Sequence, residues 1–230
     1  MGEYFVWANL SKREKLCSDA FEDYGFMLNC STCTTTSTTR AAETLLAGSW
    51  KNDIVIYLGD YFTYDKCWRI HNPNIARLFE QSVSQPNEKY NTEYPWEVVL
   101  NEFKDIGGRF IESKGRKYTE YWGGDNWEDK IYDGPFDLSA SDFKFAICEP
   151  LKEYVSLGMT WSEFNEVKDG DFETLTFDPL PKLLCARDKP YLLTGRWSGF
   201  PVRTANDKPS AEYELLLPNR IDDSIPLEYA

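Results

Sequence analysis

Alternating and continuous apolar stretches predict a series of strands along the chain. The segment EYFVWANL, residues 3–10, alternates and is rich in β-formers, and FKFAIC, residues 143–148, alternates in the same way. The run IVIYL, residues 54–58, is continuously apolar, which is typical of a buried strand. YLLTGRW, residues 191–197, and AEYELLLP, residues 211–218, predict two later strands.

Helical spacing occurs in the segments between these strands. Thr38 or Thr39 can cap a short helix over RAAETLLAG, and Gly48 is expected to end it. The segment NPNIARLFEQSV predicts a second helix with Asn72 as its cap. PWEVVLNEF predicts a third, whose apolar face should consist of Trp96, Val99, Leu100 and Phe103.

The order of these elements predicts the fold class. Polar stretches near residues 30–39 and 124–142 are expected to form loops. The segment GGRFIESKGRKYTEYW, residues 107–122, is expected to form a hairpin that ends at Gly123–Gly124. We find no internal repeat and no clean linker, so we predict a single compact domain over residues 1–230. Strands and helices do not alternate regularly, which favours an α+β fold with a mixed, largely antiparallel sheet and short packing helices.

The charge of the chain restricts its partners. The net charge is −13, which repels phosphate backbones unless a local basic patch overrides it. The densest basic cluster, KGRK at residues 114–117, is typical of a solvated turn. We therefore expect no direct binding of nucleic acid. Residues 125–173 hold 13 acidic and 4 basic residues, so the negative charge is concentrated there.

The cysteines and the hydropathy indicate a reducing, cytoplasmic location. The chain has six cysteines, shows no secretory signal and contains no apolar run approaching 18 residues. We expect no membrane association. Cys30 and Cys33 have the spacing of half a zinc site or of a redox pair, but no second pair of this kind accompanies them. Zinc binding, redox sensitivity and two ordinary thiols remain open, and the last is favoured.

No complete catalytic set is visible. His71 is the single histidine, and neither a nucleophile motif nor a glycine-rich phosphate loop accompanies it. The stretch YLGDYFTYD is similar to one motif of the calcineurin-like metallophosphatases, but a two-metal imidazole site cannot be built from one histidine. We predict no catalytic residue, no metal and no cofactor. Asp60 is expected to accept backbone hydrogen bonds where the strand turns after Gly59.

Two blocks of the chain, YFVWANLSKREK and GSWKNDIVIYLGDY, together resemble a poorly described family found in bacteria and viruses. The resemblance covers about the first 60 residues. It implies that the first strand and the strand from Ile54 belong to one sheet, and it implies no activity. The matching positions are Asn9, Lys12, Arg13, Glu14, Trp50, Asp53, Gly59, Asp60 and Tyr61.

The absence of catalytic and cofactor motifs favours a non-enzymatic binding protein whose partner is another protein. A virus-encoded or host-defence origin is one expectation, and the sequence sets no oligomeric state. YWGGDNW places aromatic residues around two glycines and an acid, a composition typical of contact surfaces. Asp60 is also expected to share a surface with Asp53 and Lys12. The candidate binding residues are Asp53, Asp60, Tyr61, Tyr121, Trp122, Asp125 and Trp127.

Two other hypotheses belong to different functional classes. The first is a hydrolase-like enzyme that uses carboxylates around Asp60. The second is an acidic mimic of nucleic acid, in which residues 125–173 occupy a basic groove of a partner.

Overall fold

The structure, a computed structural model, describes residues 4–17, 37–62, 95–111, 114–121, 127–133, 143–160, 176–186 and 195–216. The helices are α1 Ser37–Ala47, α2 Pro95–Glu102, α3 Gly108–Ile111 and α4 Leu180–Leu183. The strands are β1 Phe5–Asn9, β2 Glu14–Cys17, β3 Asp53–Gly59, β4 Lys104–Asp105, β5 Lys114–Tyr121, β6 Trp127–Asp133, β7 Phe145–Cys148, β8 Glu153–Ser156, β9 Met159–Thr160, β10 Thr176–Phe177, β11 Cys185–Ala186, β12 Pro201–Ala205 and β13 Glu214–Leu215.

Most of these strands form one mixed sheet. Its order is β13-β8-β7-β12-β3-β1-β2-β4, and β11 pairs with β3 as a ninth strand. The pairings of β11 with β3, β13 with β8 and β2 with β4 are parallel, and the other pairings in this sheet are antiparallel. The predicted α+β class with a mixed, largely antiparallel sheet and short helices is confirmed.

The resemblance correctly implied that β1 and β3 share a sheet. They pair antiparallel from Phe5 opposite Gly59 to Asn9 opposite Val55. On the other side of β3, β12 pairs with Asp53 and Ile54, whereas β11 pairs in parallel with Tyr57 and Leu58. Strand β3 therefore has neighbours on both sides, which explains its continuous apolar run.

The pleat of β1 and β3 sends side chains into two cores. On one face lie Phe5, Trp7, Val55 and Tyr57, and Trp7 and Tyr57 have ring centroids 4.7 Å apart. The opposite face carries the second core, which includes Val6, Ala8, Ile56, Leu58 and the α2 residues Val98 and Val99. Burial on both faces fixes the register, because a one-residue slip would exchange the two sets of side chains.

Two of the predicted helices form at their predicted positions, but their caps or buried faces differ from the prediction. Helix α1 ends at Ala47 and Gly48 follows it, as expected, but Thr38 and Thr39 lie inside the helix instead of capping it. Helix α2 forms where predicted, yet Leu100 is 38% exposed because the core contacts Val98 in its place. The helix predicted from Asn72 lies outside the described residues.

Two loop predictions and the hairpin predicted over residues 107–122 need correction. Residues Gly108–Ile111 of that hairpin form α3, and residues 114–117, expected in a solvated turn, begin β5. Residues 127–133, expected within a polar loop over 124–142, form β6, which pairs with β5 from Tyr121 opposite Trp127. Trp127, Ile131 and Tyr132 favour a strand, and the polar residues between them obscured that preference. The loop expected over residues 30–39 loses its last three residues to α1.

Among the described residues, neither of the last two predicted strands extends over its whole predicted range. Residues 196–199 form turns around Gly199, whose φ of 84° is left-handed, so the strand predicted over 191–197 does not reach its predicted end. Within 211–216, the described part of the strand predicted over 211–218, only Glu214–Leu215 is a strand, β13, and it lies at the edge of the sheet.

Candidate binding surface

The two blocks that carry the resemblance interlock at one end of β3. Asn9 accepts a hydrogen bond from the backbone N–H of Lys12 through Oδ1, at 2.9 Å, and donates through Nδ2 to Asp53 Oδ2, at 2.8 Å. Lys12 Nζ lies 2.9 Å from the same Asp53 oxygen and also donates to the backbone carbonyl of Ser49. These contacts hold the β1–β2 turn against the start of β3.

Three more of the matching residues support the same corner. Trp50 is fully buried and donates through Nε1 to Glu14 Oε2 at 2.7 Å. Arg13, with a left-handed φ of 54°, pairs with Glu102 at 2.6 Å and lies over the ring of Phe103. Most matching positions in this corner therefore contact one another, which is a structural role.

Asp60 lies at the opposite end of β3 and closes the pairing with β1. Its backbone N–H donates to the carbonyl of Tyr4 at 3.0 Å, and its Oδ1 accepts from the backbone N–H of Tyr4 at 3.1 Å. The predicted backbone contact of Asp60 is thus present, and its donor is the residue that precedes β1.

Asp53 and Asp60 do not form the common surface that the sequence suggested. They stand before and after the run of β3, so about 23 Å of extended chain separates them at roughly 3.3 Å per residue. Asp53 and Lys12 do contact each other, and Asp60 does not join them.

The end of β3 that carries Asp60 has two exposed tyrosines beside it in the chain and in the sheet. Tyr61 is 41% exposed and Tyr4 is 44% exposed, and both belong to the four large hydrophobic residues that are exposed in the described part of the chain. Sequence reasoning selected Tyr61 but missed Tyr4. The pairing of β1 with β3, carried one residue past Phe5 and Gly59, would have identified it. We call these three residues the Tyr4–Asp60–Tyr61 surface.

The carboxyl group of Asp60 is half-buried on this surface. Burial raises the pKa of Asp60 above its ordinary value, and the hydrogen bond from the backbone of Tyr4 acts in the opposite direction.

The other candidate residues lie on the β5–β6 hairpin or in its turn. Tyr121 ends β5 directly opposite Trp127, the first residue of β6, so the backbone brings these two together. Trp122 and Asp125 lie outside the described residues. The hairpin forms a separate two-stranded sheet, distinct from the sheet that carries Asp60.

Two acids of the negative segment 125–173 are engaged within the protein. Glu153 is buried, pairs with Arg196 through both carboxylate oxygens at 2.6–3.0 Å, and accepts from Trp197 Nε1 at 2.9 Å. Glu149 pairs with Arg203 at 2.7 Å and accepts from the Tyr213 hydroxyl. These two charges hold β7, β8, β12 and the C-terminal edge of the sheet together.

A second charged cluster is fully enclosed. Arg40 contacts both carboxylate oxygens of Glu43 at 2.9–3.0 Å and lies 3.9 Å from Asp178 Oδ2. Asp178 accepts from the backbone N–H of Leu180, and burial raises the pKa of its carboxyl group. This cluster joins α1 to the start of α4, and no sequence pattern indicates that these residues meet.

In the described part of the chain, no group of three potential metal ligands comes together. Cys17, Cys148 and Cys185 form no disulfide among the described residues, and burial raises the pKa of the Cys148 thiol to about 12. Such a thiol remains protonated and unreactive near neutral pH. Cys30, Cys33 and His71 lie outside the described residues.

No helix of the described ranges is both long and apolar enough to cross a membrane. In comparisons with known proteins, no family model, no curated protein and no solved structure matches the chain.

Proposed function

We propose that the protein is a non-enzymatic binding protein and that it contacts a basic partner protein through the Tyr4–Asp60–Tyr61 surface. The observation that carries this proposal is the exposure of Tyr4, whose backbone bonds to Asp60, and of Tyr61, which follows Asp60 in the chain. Tyrosine supplies a large, rigid contact area at low entropic cost, and tyrosines are enriched among the residues that dominate interface energies.

The contrast between the two ends of β3 supports this choice of surface. At the Asp53 end, the polar side chains are engaged with one another and with the backbone. At the Asp60 end, Tyr4 and Tyr61 are 44% and 41% exposed, and the backbone of Tyr4 bonds to Asp60 at the edge of the β1–β3 pairing. A rigid strand end that presents aromatic side chains suits binding, because little order must be gained when the partner docks.

The negative charge of the chain indicates that the partner carries a positive charge. A net charge of −13 attracts basic proteins at long range and speeds their encounter with the carboxylate surface. We therefore expect association to slow as salt is added, because the Debye length falls to about 8 Å at physiological ionic strength.

Affinity capture from the native host tests the proposal. Tagged wild-type protein, a Tyr4→Ala/Tyr61→Ala double variant and a Leu215→Ala control are compared by mass spectrometry. Leu215 is 40% exposed, like Tyr61, but lies on β13 at the edge of the sheet. We expect a basic partner that wild type and the control retain and the double variant loses. Equal retention by all three would contradict the proposal.

One observation favours the hydrolase alternative, namely the raised pKa of Asp60. That hypothesis predicts a metal-dependent hydrolysis of phosphate esters or nucleic acid that Asp60→Asn abolishes. We expect wild type to show no such activity. The mimic hypothesis stays a prediction on residues 125–173, of which Glu149 and Glu153 are already paired with arginines of the same chain.

A further inference from the structure

We infer that Glu43 and Asp178 share a single proton, and that the loss of this proton as the pH rises loosens the attachment of α1 to the rest of the fold. The inference concerns the buried cluster of Arg40, Glu43 and Asp178, and it is independent of the proposed binding surface. It depends on the contact between two acidic side chains in a place that is closed to solvent.

The two acids cannot attract each other without a proton between them. Glu43 and Asp178 are 1% and 0% exposed, and their side chains are hydrogen-bonded to each other. An ionised carboxylate only accepts hydrogen bonds, so one of the two groups must carry a proton in order to donate. Two carboxyl groups in such close contact do not ionise together, because their charges repel strongly where water is excluded.

The donors around the pair leave one carboxyl oxygen for this proton. Arg40 Nη1 lies 2.9 and 3.0 Å from the two carboxylate oxygens of Glu43. Asp178 Oδ1 accepts from the backbone N–H of Leu180 at 2.9 Å. Asp178 Oδ2 is 3.9 Å from Arg40 Nη1 and has no hydrogen-bond donor among the described residues. Within this cluster one guanidinium therefore faces two carboxyl groups, and one bound proton balances its charge.

Other charged side chains of the neighbouring elements bond to other groups or are partly exposed. They are Arg203 of β12, which bonds to Glu149, Glu14 of β2, which accepts from Trp50, Lys15 of β2, which donates to the carbonyl of Leu100, and Lys182 of α4, which is partly exposed. Burial raises the pKa of Asp178, and the hydrogen bond with Glu43 and the charge of Arg40 act in the opposite direction. The folded protein therefore holds the proton of the pair more tightly than the unfolded chain does.

Loss of the proton places an excess negative charge beneath α1. Helix α1 contributes Ala42, Leu45 and Leu46 to the core, and the backbone carbonyl of Glu43 accepts from Thr204 of β12. A buried charge without a partner is costly, so the ionised pair favours an opened state of α1 in which water reaches both acids. The stabilisation is complete below pH 3.8 and is lost as the pH rises through the raised pKa.

Amide hydrogen exchange from about pH 4 to about pH 8, corrected for the intrinsic exchange rate, tests the inference on the full-length protein. In wild type, the protection of α1 amides should fall by up to about tenfold for each pH unit between the ordinary and the raised pKa, because opening releases one proton. Asp178→Asn and Glu43→Gln each leave one carboxylate beside Arg40, so their protection should change by less than about twofold. Glu212→Gln, which alters an exposed carboxylate, should keep the wild-type dependence.

Glu43→Gln distinguishes a shared proton from the burial of Asp178 alone. If burial alone set the pH dependence, Glu43→Gln would retain it, and that result would overturn the shared proton. A wild-type protein whose α1 amides keep their protection over the whole pH range would overturn the inference as well, and so would an equal fall in the protection of β1 and α1. The comparison of β1 with α1 uses wild type only, so it decides the question even if neither variant folds.

Discussion

Asn9 and Asp53 are 44 residues apart in the sequence, and a 2.8 Å hydrogen bond joins their side chains. Lys12 pairs with the same Asp53 oxygen, so one carboxylate anchors a turn and a strand start together. Most of the positions at which this chain resembles the family therefore contribute to the stability of the fold. The end of β3 where Tyr4 bonds to Asp60 carries two exposed tyrosines, and it is the surface that we propose for binding.

The corner around Asp53 should be important for stability. Asp53→Ala removes the acceptor of Asn9 and Lys12, and hydrogen bonds to charged groups contribute about 1.5–3 kcal/mol. We expect the free energy of unfolding to fall by that amount in urea titrations. Glu212→Gln is the control, since its pair with Lys152 is exposed and 3.5 Å long. Equal losses from the two substitutions would contradict the anchoring role of Asp53.

The buried pair of Glu153 and Arg196 should cost more to break than an exposed one. Glu153→Ala leaves the guanidinium and the Trp197 N–H without their acceptor, and breaking a buried pair costs about 3–5 kcal/mol. The carboxylate of Glu149 is partly exposed beside Arg203, so Glu149→Ala should lower the free energy of unfolding by only about 1 kcal/mol. Thermal and chemical unfolding of both variants measures the difference, and a larger loss from Glu149→Ala would refute this ranking.

Substitution by alanine should change the stability of the protein differently at two glycines. A Cβ atom at Gly195 would lie 2.2 Å from the backbone oxygens of both Leu183 and Lys182, so the backbone would have to move. We expect Gly195→Ala to destabilise the protein by about 3 kcal/mol. At Gly108 a Cβ meets nothing within 4 Å, and Gly108→Ala should be neutral or stabilise by up to about 1 kcal/mol. The urea midpoints of the two variants measure this difference. A Gly195→Ala variant as stable as wild type would disprove it.

The buried cluster around Asp178 should make stability depend on pH. Burial raises the pKa of Asp178 above its ordinary 3.8, so the folded protein holds the proton more tightly than the unfolded chain. The stabilisation from that proton is complete below pH 3.8 and is lost as pH rises through the raised pKa. Asp178→Asn retains an acceptor for the N–H of Leu180 but has no proton to lose.

The unfolding free energies of wild type and Asp178→Asn, measured from pH 4 to pH 8, test this linkage. The decrease with rising pH should be smaller in Asp178→Asn than in wild type. Glu212→Gln, which alters an exposed carboxylate, should keep the wild-type dependence. An unchanged slope in Asp178→Asn would mean that Asp178 does not carry the expected proton.

Local signals predicted the strands and helices that lie at the centre of the fold. The apolar run of β3 and the alternation of β1 depend on neighbours along the chain, and so does the end of α1 before Gly48. The residues of β6 were missed because the hairpin depends on pairing with β5, and their polar side chains resemble those of a loop. Leu100 was misplaced because helical spacing alone does not identify which adjacent positions face the core.

The contacts that define the candidate surface are long-range, and sequence patterns do not report them. Tyr4 precedes β1 and meets Asp60 only because the two strands pair across 56 residues. The meeting of Arg40 with Asp178 and that of Glu153 with Arg196 likewise depend on the complete fold. Asp60 and Tyr61 could be selected because they follow a strongly predicted strand, whereas Tyr4 could be selected only from the register of β1 with β3.

The central claim is that the partner covers the tyrosines beside Asp60. Hydroxyl-radical footprinting measures it most directly, because the oxidation rate of a tyrosine ring follows its exposure to solvent. With the captured partner bound, Tyr4 and Tyr61 should be oxidised several-fold more slowly than in the protein alone, whereas Leu100 and Leu215 should be oxidised at unchanged rates. Unchanged oxidation of both tyrosines in the complex, with protection elsewhere on the chain, would contradict the account.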